Sequence, residues 1–220
     1  MTIEAVMCIW SMRLMARDGI LVRLLEDKVS IVTGAGNGLG RSEAMTLAAH
    51  GAAVVVNDVT SAAGQVVAEI VAAGGRAVAN NGDVSSWKTA ADCGAQALFE
   101  FGRLDIVVAN AGINRRNKII DVDEADFDAQ VAVLFKGTYG LIRDAGAHWS
   151  REYDSGMRRH HTIIATSSSA GVPGGVQDFA VYASMKAGVA TVALGAALEF
   201  RHFGATINAI LPHAATHMDA

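Results

Sequence analysis

Two cysteines in 220 residues, Cys8 and Cys93, leave no disulfide framework to build on. They lie far apart and neither belongs to a C-x-x-C pair, which suits a reducing compartment; the expected location is cytoplasmic. Cys93 falls in a helical pattern and reads as a buried structural thiol. Seven histidines show neither H-E-x-x-H nor Cys/His ligand spacing, so no metal site is expected. A basic excess is also missing: 18 basic residues face 22 acidic ones, for a formal charge of −4. Nothing in that balance calls for a nucleic-acid partner. The single dense basic patch, Arg158, Arg159, His160 and His161, reads as a solvated loop before a strand. No apolar run reaches the length needed to span a bilayer. No linker, repeat or low-complexity segment interrupts the chain.

What is present is apolar residues, 51% of the chain, enough for a substantial core in one α/β domain. Residues 1–24 stand apart. They are rich in methionine and carry Arg13, Arg17 and Arg23 among apolar residues. They lack the long apolar segment and small-residue cleavage site of a secretory signal. They read as a loosely ordered extension or as residues from an upstream start; a transit-like or surface helix is the alternative. The domain is expected over 25–220.

From Lys28 onward, short β-branched runs alternate with helical stretches. Strands are expected at Lys28–Thr33, Ala52–Asn57, Arg76–Asn80, Leu104–Asn110, Thr162–Thr166 and Ala205–Leu211. Helices are expected at Arg41–His50, Ser61–Ala73, Ser85–Phe101, about Glu124–Glu152 and Asp178–Phe203. Apolar strands interleaved with helices mean βαβ units, hence a Rossmann-type doubly wound parallel sheet with helices on both faces.

The first strand runs directly into Thr33-Gly34-Ala35-Gly36-Asn37-Gly38-Leu39-Gly40 and then a helix. Glycines allow the tight turn and the close backbone approach that a pyrophosphate needs. The helix N-terminus supplies free N–H groups and a partial positive charge. Asp58 ends the second strand, where a carboxylate can accept from the adenosine ribose hydroxyls. A 2′-phosphate would meet its charge, and no Arg or Lys lies in the loop or just after Asp58 to offset it. NAD is therefore expected over NADP. The competing reading of Asp58 is a simple helix cap.

These motifs resemble those of the short-chain dehydrogenase/reductase family, in its shorter single-domain branch. Thr33–Gly40 matches T-G-x-x-x-G-x-G. Asn110-Ala111-Gly112 matches N-A-G, Asp83-Val84 matches the D-V pair, and Tyr182-Ala183-Ser184-Met185-Lys186 matches Y-x-x-x-K. Asn208–Pro212 resembles N-x-x-x-P. The resemblance covers about Leu25 to Met218. It implies that Gly34, Asn37, Gly38, Leu39, Gly40, Asp58, Asp83, Val84, Asn110, Ala111, Gly112, Tyr182, Lys186 and Thr216 hold the dinucleotide. By that resemblance Asp83-Val84 contacts the adenine, Lys186 the nicotinamide ribose and Thr216 the carboxamide. It also implies a homodimer or homotetramer, formed through the two long helices.

The Y-x-x-x-K spacing makes chemical sense. Four residues apart on a helix, Tyr182 and Lys186 share a face. A free phenol has a pKa of about 10, and a nearby ammonium favours the phenolate. Tyr182 can then exchange a proton with a substrate oxygen while a hydride moves; positioned proton transfer is worth roughly 10²–10⁴-fold. Relatives hold a serine beside that oxygen. Counting forward to Gly171 in S-x-x-G selects Ser168; counting back from Tyr182 selects Ser169. Strand register is local and loops absorb insertions, so Ser168 is preferred.

Two departures bear on activity. Val133–Thr138 resembles the family's V-N-L-K-G-T, but Leu134 stands where a polar Asn or His assists a proton relay. His213 replaces the glycine of P-G-x-x-x-T, and the family's last strand and substrate-covering segment have no counterpart before Ala220, which leaves the sixth strand as an expected sheet edge. The favoured reading is an NAD-dependent oxidoreductase interconverting a secondary alcohol and a ketone, with Ser168, Tyr182 and Lys186 as catalytic set. The alternative is a truncated or degenerate relative that binds nucleotide without turnover and acts in assembly. A sugar-nucleotide epimerase or dehydratase also uses Y-x-x-x-K but has different glycine spacing and a larger C-terminal domain. The apolar loop Gly171–Val181 suggests an apolar substrate.

Overall fold

A computed structural model describes residues 23–172 and 176–212. Six parallel strands form one sheet: β1 (Val29–Thr33), β2 (Ala53–Asn57), β3 (Arg76–Asn80), β4 (Ile106–Ala109), β5 (His161–Thr166) and β6 (Ala205–Ile210). Their order is β3-β2-β1-β4-β5-β6, the Rossmann arrangement. The helices are α1 (Gly38–Ala49), α2 (Ala62–Ala72), α3 (Trp87–Phe101), α4 (Glu124–Gln130), α5 (Gly137–Asp154) and α6 (Ala180–Phe200). Residues 1–22 lie outside the described part, as do Cys8, Arg13, Arg17, His213 and Thr216.

The period of two in each strand sorts side chains to two faces. Val32, Val54, Val56, Ile106 and Val108 pack under α1 and α2, against Ala44, Ala48, Val66 and Ile70. Their neighbours Ile31, Val55, Val107 and Ile163 face the other way, onto α3, α5 and α6, against Cys93, Trp149 and Val189. Alternation alone thus explains why the strands read as unbroken apolar runs: both faces are covered. Cys93 is fully buried in this second layer, as expected, and burial together with Asp92 pushes its thiol up to about 12. Among the described residues, β6 pairs only with β5.

The helix expected as one piece over Glu124–Glu152 contains a change of pitch. Between α4 and α5, residues Val131–Lys136 form a π-helical segment. Such bulges recur near functional sites because they re-aim side chains; here the segment carries the fully buried Leu134. The first helix starts at Gly38, three residues before the expected start at Arg41, so Gly38, Leu39 and Gly40 of the glycine loop form its opening turn.

Two sequence expectations need correction. The basic patch is solvated at Arg158 and His160 but not at His161, which opens β5, is 2% exposed and stacks on Trp149 at 4.5 Å. Arg159 reaches back to the buried Glu152 at 2.9 Å. The expectation that no apolar run reaches membrane length also fails for Ala180–Phe203, whose length and mean hydropathy of 1.4 suffice. Its many alanines raise the hydropathy and also suit close packing. Lys186, Val189, Ala193 and Ala196 are buried along it, a pattern that fits a helix docked on a sheet.

Candidate active site

The sheet order reverses between β1 and β4, the switch point at whose strand carboxyl ends doubly wound sheets form their ligand crevice. The glycine loop lies there. Gly34 has φ +61°, a conformation that L side chains rarely adopt. A Cβ on Gly40 would stand 2.3 Å from the Gly34 carbonyl oxygen, and one on Gly36 2.8 Å from the Asp58 carboxylate. Each glycine is therefore required by backbone or carboxylate already in place. Asn37 caps α1 without a side-chain hydrogen bond, and first-turn N–H groups left without a side-chain cap can receive an anion.

Asp58 fixes the loop from below. Its Oδ2 accepts from Gly36 N–H at 2.9 Å, and its Oδ1 accepts from the Thr60 N–H at 2.9 Å and hydroxyl at 2.8 Å. A carboxylate has about four acceptor positions, so capacity is left for a ribose hydroxyl. The simple helix-cap reading of Asp58 does not hold, because α2 is capped at Ser61 and the Asp58 carboxylate instead shapes the turn at Thr60 ahead of it. Asp83 accepts from Ser85 N–H at 2.9 Å and shapes the turn that presents Val84. The Val84 carbonyl lies against Gly137 at the start of α5, where a Cβ would come within 2.9 Å.

Asn110 ties the two halves of the crevice together. Its amide donates to the carbonyls of Thr33 at 3.0 Å and Gly34 at 3.3 Å. Thr33 Oγ1 accepts from the N–H groups of Asn110 and Ala111, both at 3.2 Å. Sequence reasoning assigned no role to Thr33, nor to Asn57, whose amide donates to the Asn80 carbonyl at 3.3 Å, to Asn80 Oδ1 at 2.9 Å and to the Gly82 carbonyl at 2.9 Å. The available signal was a polar residue closing an otherwise apolar buried strand.

Lys186 is the most unusual side chain in the crevice. It is 4% exposed, and its ammonium donates to the Thr166 carbonyl at 2.6 Å. Burial lowers its pKa to about 8. The ammonium lies 5.8 Å from the Tyr182 ring centre, one helical turn away. Ser167 is buried and donates to the Lys186 carbonyl at 2.6 Å, which commits it to holding α6 against β5. Ser169 is exposed in a short 3₁₀ turn. Ser168 lies between them in extended backbone, half-buried, its hydroxyl accepting from Ala170 N–H at 3.2 Å. Gly171 packs on the helix backbone: a Cβ there would stand 2.7 Å from Ala187 N.

Leu134 and Lys186 flank the same glycine. A Cβ on Gly112 would meet Leu134 Cδ2 at 3.2 Å and Lys186 Nζ at 3.7 Å. The register that aligns Leu134 with the family's polar relay position therefore places it beside the lysine. An apolar side chain there can neither donate nor accept.

The short chain dehydrogenase family model matches residues 28–219, and the chain belongs to that family. Hydroxyacyl-CoA dehydrogenase ChsB1 of Mycobacterium tuberculosis is 43% identical over 205 residues, covering 89% of this chain and 64% of that protein. The chain thus spans less than two thirds of that relative. L-rhamnose 1-dehydrogenase (NAD(P)(+)) of Sphingomonas sp. is 35% identical over 193 residues, covering 87% of this chain and 74% of the relative. A short chain dehydrogenase from Mycobacterium avium has a crystal structure that superposes with TM-score 0.85 at 44% identity, covering 89% of this chain and 70% of that one. The fold of the chain is accordingly the Rossmann-type fold of this family.

Proposed function

We propose that the chain is an NAD-dependent dehydrogenase that interconverts a secondary alcohol and a ketone. The observation that carries the proposal is the buried Lys186 ammonium one turn from Tyr182, at the crevice where the glycine loop ends. A buried cation is costly, and active sites are where such costs recur. The residues fit a dinucleotide: Gly34, Asn37, Gly38, Leu39 and Gly40 would receive the pyrophosphate, and Asp58 the adenosine ribose. Asp83 and Val84 would border the adenine, and Asn110, Ala111 and Gly112 the inner wall; Thr216, expected at the carboxamide, lies outside the described residues. Among the described residues Asp58 forms no ion pair with a cation that could offset a 2′-phosphate, which supports NAD over NADP. Bound, the nicotinamide accepts or donates the hydride.

The chain's own residues handle the proton. Ser168 Oγ donates to the substrate oxygen and fixes its position. In oxidation, Tyr182 as phenolate takes the hydroxyl proton, the carbon–oxygen double bond forms, and the carbinol hydrogen leaves as hydride. In reduction Tyr182 returns the proton. Lys186 favours the phenolate by its charge and has two N–H donors besides the one given to the Thr166 carbonyl. Tyr182→Phe should lower kcat by about 10²-fold or more and leave the NAD dissociation constant within about twofold; unchanged turnover would remove Tyr182 from the mechanism.

The similarity to a hydroxyacyl-CoA dehydrogenase supports a hydroxyacyl thioester among the substrates to be tried first. The reading includes a cytoplasmic location and a homodimer or homotetramer through α5 and α6, consistent with Leu194 and Leu198 standing exposed on α6. A second reading, nucleotide binding without turnover, draws on Leu134 beside Lys186, which removes one polar step from proton exchange with solvent.

A further inference from the structure

The loop after β4 carries three cations, and they are not equivalent. Arg115 is paired with Asp126 of α4. Asp126 also accepts from the Asn117 side chain at 3.0 Å, so each of its carboxylate oxygens already has a partner. Arg116, one residue on, has no carboxylate within ion-pair distance among the described residues. Its guanidinium instead lies 4.6 Å over the ring of Phe179. Phe179 in turn meets Tyr182 edge-to-face at 5.6 Å. Arg116 is thus two ring contacts from the residue assigned to proton transfer.

The placement is built. Asn117 N–H donates to the Asp178 carbonyl at 2.9 Å, which stitches the loop to the lead-in of α6. Asp178 holds φ +62°, a left-handed conformation that non-glycine residues adopt uncommonly. The nearest acidic neighbour in sequence to Phe179 is Asp178 itself, and it forms no ion pair with Arg116. A guanidinium on an aromatic face keeps its in-plane N–H donors free for an anion.

We propose that Arg116 recognises an anionic group, a carboxylate or a phosphate, carried by the substrate whose alcohol or ketone reacts at Tyr182. This deepens, and rests on, the dehydrogenase reading above. The substrate would be apolar near the reacting carbon and negatively charged at its outer end. A charge-assisted hydrogen bond is worth about 1.5–3 kcal/mol, which corresponds to about 10- to 100-fold in kcat/KM.

The test uses the full chain with NAD and three substrates sharing one secondary alcohol: 3-hydroxybutyrate, 3-hydroxybutyryl-CoA and neutral methyl 3-hydroxybutyrate. Arg116→Gln should lower kcat/KM for an anionic substrate at least tenfold more than for the ester, with Arg116→Lys restoring part of the difference. Loss on the free acid assigns the anion to a carboxylate; loss on the thioester alone assigns it to phosphate. Equal loss on all three, or none on any, overturns the proposal. If the unaltered protein oxidises none of the three, the dehydrogenase reading fails for this class, and calorimetric titration of 3-hydroxybutyryl-CoA then decides on Arg116. Weaker binding to Arg116→Gln upholds anion recognition, and equal or undetectable binding to both proteins overturns it.

Discussion

Replacing Lys186 with methionine exposes what this crevice costs the fold. The native ammonium is 4% exposed, and its pKa falls from 10.5 to about 8 because burial penalises the charge. In the unfolded chain the lysine keeps its proton up to about pH 10.5. Between pH 8 and 10.5 the unfolded state therefore binds more protons than the native state, and stability gained from this residue rises with pH. At one pKa unit per 1.36 kcal/mol, the burden is about 3 kcal/mol at neutral pH and largely gone at pH 10. A methionine at this position does not titrate, so other alkaline effects cancel in the comparison. Urea unfolding followed by tryptophan fluorescence, without cofactor, at pH 7.5 and pH 10 measures it. The stability of the unaltered protein relative to Lys186→Met should rise by about 2 kcal/mol across that interval. Losing the hydrogen bond to the Thr166 carbonyl shifts both values equally. A pH-independent difference would refute the claim that a charged lysine is buried here.

Glu43 gives the opposite sign on an acid limb. Burial raises its carboxyl to about 7, and its Oε2 has no hydrogen-bond partner. The native state holds the proton while the unfolded chain releases it near 4.5, so this group removes stability as pH rises from 4.5 to 7. Glu43→Gln should stabilise by about 3 kcal/mol more at pH 8 than at pH 4.5, read from urea midpoints. Gly171→Ala places a Cβ 2.7 Å from Ala187 N, and the helix bearing Tyr182 and Lys186 has to move. A loss of about 1–3 kcal/mol in urea and a fall in kcat are expected; an unperturbed variant would remove the steric argument. Asp58→Asn keeps an acceptor for Gly36 N–H and removes the charge. The ratio of kcat/KM with NADP to that with NAD should rise about tenfold, equivalent to about 1.4 kcal/mol; an unchanged ratio would take Asp58 out of cofactor choice.

The parallel sheet was legible because the central strands are apolar on both faces and β1 to β5 are each followed by a helix. Val29–Thr33 and Ala53–Asn57 needed no tertiary information. The pitch change at Val131–Lys136 was not legible, since the side-chain pattern of a π segment differs from an α-helix only by one residue of phase. The burial of His161 was hidden by its basic neighbours: only the stacking on Trp149, 12 residues earlier, reveals it. At the site, spacing placed Tyr182 and Lys186 together but left three serines open. Structure distinguishes them by commitment, Ser167 to the Lys186 carbonyl and Ser169 to solvent. Spacing also could not reveal Arg116, because its significance lies in the ring beneath it, contributed from 63 residues further on.

Hydride transfer to NAD with Tyr182 as proton acceptor is open to direct measurement. Its most direct measurement is calorimetric titration of the purified chain with NAD and NADP, followed by absorbance at the reduced-nicotinamide band with a panel of secondary alcohols. The expected result is tighter binding of NAD than NADP and reduced nicotinamide with at least one alcohol, lost in Tyr182→Phe. NAD binding with no reduced nicotinamide from any alcohol would contradict the claim and leave a nucleotide-binding protein whose relay position is closed by Leu134.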